Sequence, residues 1–120
     1  MKSKYVDGFL LVMPKKHLAK YLTIAKRAGK IWIEHGALGY SECTGEDLAV
    51  DFGVPFPKRA KAKAGETVVF SWVLFKSKAQ RDKVNAAVMA DPRMAELADQ
   101  EMPFDIKRMS YGGFEQMVAL

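Results

Sequence analysis

The chain has 120 residues, of which 49% are hydrophobic and 28% charged, with a formal net charge of +5. This length and mixture fit one globular domain over residues 1–120 and exclude a disordered chain, which lacks the apolar surface to fold. A lone cysteine, Cys43, excludes an internal disulfide and points to a reducing, cytoplasmic setting, and no apolar run reaches the ~20 residues that span a bilayer.

Tyr5 to Met13 is a short apolar stretch, which predicts a mostly buried strand. Pro14 follows, at a position where a helix start tolerates proline. Leu18, Tyr21, Leu22, Ala25, Ala28 and Trp32 then recur at three- and four-residue steps, with Lys15, Lys16, Lys20, Lys26, Arg27 and Lys30 mostly between them. The pattern is an amphipathic helix with one apolar stripe and one basic face. Gly29 weakens it without ending it, and Gly36, after His35, is the expected stop.

Ala37 to Thr44 reads as a second strand, with Leu38, Tyr40 and Glu42 on one face and Cys43 on the other. Residues 45–65 read as an irregular connection holding Pro55, Pro57 and the basic run Lys58-Arg59-Ala60-Lys61-Ala62-Lys63. Thr67 to Phe75 is the clearest strand: Val68, Phe70, Trp72 and Leu74 alternate with Val69, Ser71, Val73 and Phe75, and both faces are apolar. Ser77 and Gln80 form a capping-box pattern before a helix carrying Val84, Ala87 and Val88. Asp91-Pro92 opens a further short helix with Met94, Leu97 and Ala98 on one side. The last strand is expected from about Lys107 to Val118, with a bulge or tight bend at Gly112-Gly113.

The order strand, helix, strand, strand, helix, strand is the βαββαβ, ferredoxin-like pattern of the α+β class. It predicts a four-stranded antiparallel sheet with the helices on one face. The doubly apolar third strand leaves the other face needing a cover. A second copy of the same sheet supplies one, which predicts a homodimer closed as a dimeric α+β barrel.

Several words of the sequence carry a family resemblance. Tyr5-Val6-Asp7-Gly8-Phe9, His35-Gly36-Ala37-Leu38, Tyr40-Ser41-Glu42-Cys43, Phe70-Ser71-Trp72, Met89-Ala90-Asp91-Pro92-Arg93-Met94, Met102-Pro103-Phe104-Asp105, Lys107-Arg108-Met109 and Tyr111-Gly112-Gly113-Phe114-Glu115 occur in order. Together they resemble the bacterial DUF1428 family over essentially the whole chain. The resemblance implies a small cytoplasmic protein of the dimeric α+β-barrel superfamily, which includes monooxygenase-like and other small-molecule-binding members. It implies the fold and leaves the chemistry open.

The residues themselves offer several sites. His17 and His35 are too far apart in sequence to be a helical metal pair, so no metal site and no cofactor are expected. Cys43 with His35 would make a nucleophile pair, set against the ordinary reading of Cys43 as a small hydrophobe. His35, at a helix end, is either a capping residue or an acid/base group. Glu42 shares a strand face with Tyr40 and is expected to point inward, where a carboxylate needs a partner or a raised pKa. Arg81, Arg93 and Arg108 are its available partners.

Asp105 and Arg108 have no local explanation. The two guanidinium forks of the Asp91–Met94 and Phe104–Arg108 words, Arg93 and Arg108, read as a grip on a carboxylate or phosphate, or as ion pairing within these words or with a dimer partner. Trp32, Tyr40, Phe70 and Trp72 are expected to wall the helix–sheet interior, as core or as a ligand cleft. The leading expectation is therefore a small anionic or polar-aromatic molecule held in that cleft. His35 and Glu42 would do any acid/base work, and Trp32, Tyr40, Trp72, Arg81, Asp105 and Arg108 would bind. The alternative is an RNA- or protein-binding module using the basic first helix and the 58–63 loop. The sheet lacks the Arg/Lys-Gly-Phe word of RNA-binding modules, so nucleic acid is not the expected partner.

Overall fold

The computed structural model describes residues 3–120. β1 (Tyr5–Pro14), β2 (Gly39–Thr44), β3 (Glu66–Phe75) and β4 (Ser110–Glu115) form one sheet in the order β2-β3-β1-β4. All three pairings are antiparallel. Helices α1 (Leu18–Glu34), α3 (Lys78–Ala90) and α4 (Pro92–Ala98) complete the βαββαβ order, and α2 (Phe56–Arg59) is a single turn inside the 45–65 connection. The ferredoxin-like expectation holds.

Four local expectations are corrected. Pro14 closes β1 in extended conformation and a 3-10 turn, Lys15–His17, precedes α1. The 45–65 connection holds a helical turn, because Pro55 sets an extended lead-in and Pro57 fits the first turn. β4 is shorter than expected at both ends, since Ile106–Arg108 coils into a 3-10 turn. Gly112 and Gly113 make no bulge: β4 stays in register from Tyr5↔Glu115 to Leu10↔Ser110. Gly113 serves close approach instead, because a β-carbon there would collide with the Tyr5 side chain.

Strand alternation sorts the sheet into two unlike faces. Toward the helices β1 turns Asp7, Phe9, Leu11 and Met13, and β3 turns Thr67, Val69, Ser71, Val73 and Phe75. These β3 side chains are all buried. They pack in two clusters, one around Ile31, Val73, Phe75, Val84 and Val88, the other around Leu11, Met13, Tyr21, Ala25 and Val69. The opposite face carries Val68, Phe70, Trp72 and Leu74 of β3 with Phe114 of β4. Residues of the 45–65 connection cover one end of it, where Leu48 and Phe56 border a recess with Val68 and Phe70. Elsewhere Phe70 and Phe114 remain exposed.

The dimensions agree with an open two-layer sandwich. The shortest extent is 20 Å, a sheet plus one layer of helices. The radius of gyration is 15.2 Å, wider than the ~14 Å expected for a compact chain of this length.

Candidate functional site

The site begins with small residues. Between the two core clusters, β3 offers Ser71 and Val73, α1 offers Ala25 and Ala28, and α4 offers Ala98. None of them fills the space between sheet and helices. What remains is a cavity of about 380 Å³, walled by Phe9, Tyr21, Trp32, Tyr40 and Phe104 with Met94, Met102 and Met109. Its volume is within the range of small-molecule sites.

Glu42 is the one carboxylate in this wall among the described residues, and no Lys, Arg or His joins it there. β2 places it beside Tyr40 on the same face and opposite Ser71 of β3. The Tyr21 hydroxyl, from α1, donates to Glu42 Oε1 at 2.8 Å, and the Tyr40 hydroxyl donates to Oε2 at 2.5 Å. Gly29 makes this arrangement available: a β-carbon at that position would lie 2.6 Å from Tyr40 Cδ1. The missing side chain lets the Tyr40 ring lie against α1 while its hydroxyl reaches Glu42.

Burial pushes the Glu42 carboxyl above its ordinary range, and the hydrogen bonds from Tyr40, Tyr21 and Ser71 oppose that shift without cancelling it. Tyr21 and Tyr40 are both pushed up, first by burial and then by the charge of Glu42, so they remain protonated donors. The unit is a desolvated carboxyl held by two hydroxyls, able to accept a proton or to return one.

A second network stands behind the Trp32 wall. Trp32 Nε1–H donates to Asn85 Oδ1 at 3.0 Å, and Asn85 Nδ2 donates to Asp7 Oδ2 at 3.1 Å. Asp7, only 2% exposed, accepts from Arg81 Nη1 at 2.8 Å through its other oxygen. Arg81 also lies over the Tyr5 ring and donates to Asp82 and the Tyr111 hydroxyl. The network fixes the Trp32 indole and neutralises a buried charge.

Of the residues expected to form the site, the structure brings Glu42, Tyr40 and Trp32 together at the cavity. Trp72 stands on the other face of the sheet with Phe70, which corrects the expectation that both wall the interior. The reason is parity: with both faces of β3 apolar, alternation alone does not say which one meets the helices. His35 caps α1, and its Nε2 lies 2.8 Å from Asp91 Oδ2, outside the cavity wall. Asp91 also caps α4 and binds Arg93, whose guanidinium reaches Glu34. The hydrogen bonds from Arg93 and His35 hold the Asp91 carboxyl well below its ordinary range.

Arg108 grips both oxygens of Glu66, at 2.8 Å each, and Asp105 accepts the Lys107 backbone N–H as the cap of a 3-10 turn. Their side chains bind neither each other nor a group in the cavity, and the Arg108 backbone N–H donates to the Asp105 carbonyl at 3.0 Å within the turn, which corrects the view that they lack local partners. Arg81, Arg93 and Arg108 are all committed elsewhere, so none serves as the partner expected for Glu42. Cys43 is exposed on the face away from Glu42. The lysines of α1 lie on the helix side of the molecule, whereas Phe70, Trp72 and Phe114 lie across the sheet.

Sequence reasoning placed Tyr21 only in an apolar stripe and did not single out Asp7. A signal for Asp7 was available, since it shares strand parity with Phe9, Leu11 and Met13. Among the described residues no three His, Cys, Asp or Glu side chains come together as a metal site, and no helix is long and apolar enough to cross a membrane.

Comparison with known proteins finds the family model described as "Protein of unknown function (DUF1428)" over residues 4–106. The chain is 43% identical over 115 residues to a protein described as "Uncharacterized protein YbaA" in Escherichia coli strain K12, covering 96% of this chain and 97% of that one. The same identity and coverage hold for the protein so described in Shigella flexneri. Among solved structures, a dimeric ferredoxin-like protein from an uncultured marine organism superposes with a TM-score of 0.57 at 10% identity, covering 99% of this chain and 98% of the other.

Proposed function

The chain belongs to the DUF1428 family, and from that premise we propose that it is a cytoplasmic small-molecule-binding protein whose ligand occupies the helix–sheet cavity and meets Glu42. The observation that carries this reading is a cavity of about 380 Å³ with aromatic and aliphatic walls and one carboxyl, itself clamped by Tyr21 and Tyr40. A cavity of this kind binds through apolar contact and selects through its one polar anchor. The ligand is mainly apolar and planar enough to lie along Trp32 and Tyr40, whose ring centroids are 6.0 Å apart.

Glu42 is also the acid/base group of any cofactor-free chemistry done there, because its raised pKa suits both taking a proton and giving it back. The anionic ligand considered from the sequence loses its support, since the arginines that would grip it are engaged outside the cavity. His35, Trp72, Arg81, Asp105 and Arg108 have no place in this reading.

The test is calorimetric titration with the neutral aromatic 1-naphthylmethanol. Saturable one-site binding is expected, and Ala28→Phe, which fills the cavity, abolishes it while leaving the circular dichroism spectrum unchanged. Undiminished binding to Ala28→Phe, or absence of binding by this probe and by its cationic and anionic analogues alike, would overturn the reading.

We also infer a homodimer in which two copies pack their Phe70–Trp72 faces together. The apolar, partly uncovered face supports it, as does the dimeric state of the ferredoxin-like protein of similar fold. Sedimentation equilibrium at micromolar concentration is expected to give twice the chain mass. A monomer there would contradict it.

A further inference from the structure

The electrical character of the cavity narrows the ligand further. Glu42 is its one ionisable acid with an ordinary carboxyl chemistry, and no basic side chain reaches the wall among the described residues. A desolvated carboxylate is costly without a counter-charge, and the hydroxyls of Tyr21 and Tyr40 offset only part of that cost. They take one acceptor direction on each oxygen and Ser71 takes a third, while a carboxylate has about four in all. Room for one further donor therefore remains on Glu42.

The mouth has the same sign. Ala98, Met102 and Ile106 line the cavity and are also exposed, which marks them as its rim. The segment from Met94 to Ile106 that carries this rim contains Glu96, Asp99, Glu101 and Asp105 and no base. Lys107 follows directly, and Arg108 beyond it is neutralised by Glu66. A chain of net charge +5 thus carries its cavity rim on a segment of net negative charge. Such a rim draws cations and repels anions. The walls add a third term, because Trp32, Tyr40, Phe9 and Phe104 offer ring faces that attract positive charge.

We propose that the cavity takes an organic cation, an aromatic or alicyclic amine whose ammonium docks on Glu42 while its hydrocarbon part fills the space between α1, α4 and the sheet. This rests on the reading of the cavity as a ligand site and adds the ligand's charge. An ammonium is itself an acid, so the same contact lets Glu42 take one proton from the bound amine and return it.

A matched series with one ring system tests the charge: 1-naphthylmethylamine, 1-naphthylmethanol and 1-naphthoate, cationic, neutral and anionic at pH 7. The amine is expected to bind about tenfold more tightly than the alcohol, the increment for a charge-assisted over a neutral hydrogen bond. The naphthoate is expected to show no saturable binding. Glu42→Gln should reduce the amine to the level of the alcohol, and the wild-type ranking stands as a test even if that variant folds poorly. Binding of the alcohol at least as tightly as the amine, or binding of the naphthoate, overturns the cationic ligand and leaves the cavity reading intact. An amine preference that survives Glu42→Gln removes Glu42 as the anchor. Failure of all three probes overturns both.

Discussion

The two faces of the sheet are built from alternate residues of the same strands and serve opposite ends. On β3 the helix-side residues Val69, Ser71 and Val73 are modest in size, and the larger Phe70, Trp72 and Leu74 point the other way. The helix side consequently keeps a cavity lined by half-buried Glu42 and buried Ser71, with buried Asp7 behind its Trp32 wall. The opposite side is broad, apolar and only partly covered, with Phe70 47% and Phe114 63% exposed. Bulk is thus spent where a second sheet would pack, and space is kept where a ligand would sit.

The largest expected effect strikes the open face. Trp72→Arg puts a charge in the centre of the proposed sheet-to-sheet contact and is expected to convert the dimer to a monomer by sedimentation, because an unpaired buried charge is not tolerated there. A variant that stays dimeric would move the contact elsewhere. On the helix side the largest effect belongs to Asp7. Asp7→Ala strands Arg81 and Asn85 and is expected to cost about 3 kcal/mol in urea unfolding, the scale for breaking a buried ion pair. Asp7→Asn should cost less, since it can still accept from Arg81.

Gly29→Ala comes next and carries a reversed sign. In an open helix the change stabilises by ~1 kcal/mol. Here the new methyl meets the Tyr40 ring, so we expect lower stability and weakened binding of 1-naphthylmethanol. A stabilised, fully binding variant would show that Tyr40 has freedom to move. The smallest effect is the pH dependence from Glu42. Its folded pKa is raised, so its contribution to stability is fully present below the ordinary carboxyl value of 4.5 and is lost as pH rises through the folded value. Glu42→Gln is expected to flatten that fall in urea midpoints, and an unchanged slope would place the titration in another group.

Much of this architecture is legible in the sequence because strand and helix periods repeat over long stretches. The α1 stripe, the Ser77 and Asp91 caps and the alternation in β3 each follow from local chemistry. Glu42 pointing inward follows from its spacing to Tyr40. Pairings between distant elements are not legible in this way. Tyr21 reaches Glu42 across 21 positions and His35 reaches Asp91 across 56, and no periodicity encodes either. The face that Trp72 takes is not legible, because two apolar faces on one strand look alike until the neighbours of each are known. Asp105 looked unpartnered because a turn capped by its own side chain interrupts what reads as the start of a strand.

The two tryptophans give the most direct test, since Trp32 lines the cavity and Trp72 stands on the opposite face of the sheet. Their indole N–H resonances can be followed while 1-naphthylmethylamine is added to the intact protein. The Trp32 signal, held by Asn85, is expected to shift and saturate while the Trp72 signal stays in place. A shift confined to Trp72, or none in either with the amine, the alcohol and the naphthoate alike, would contradict a ligand site between the helices and the sheet.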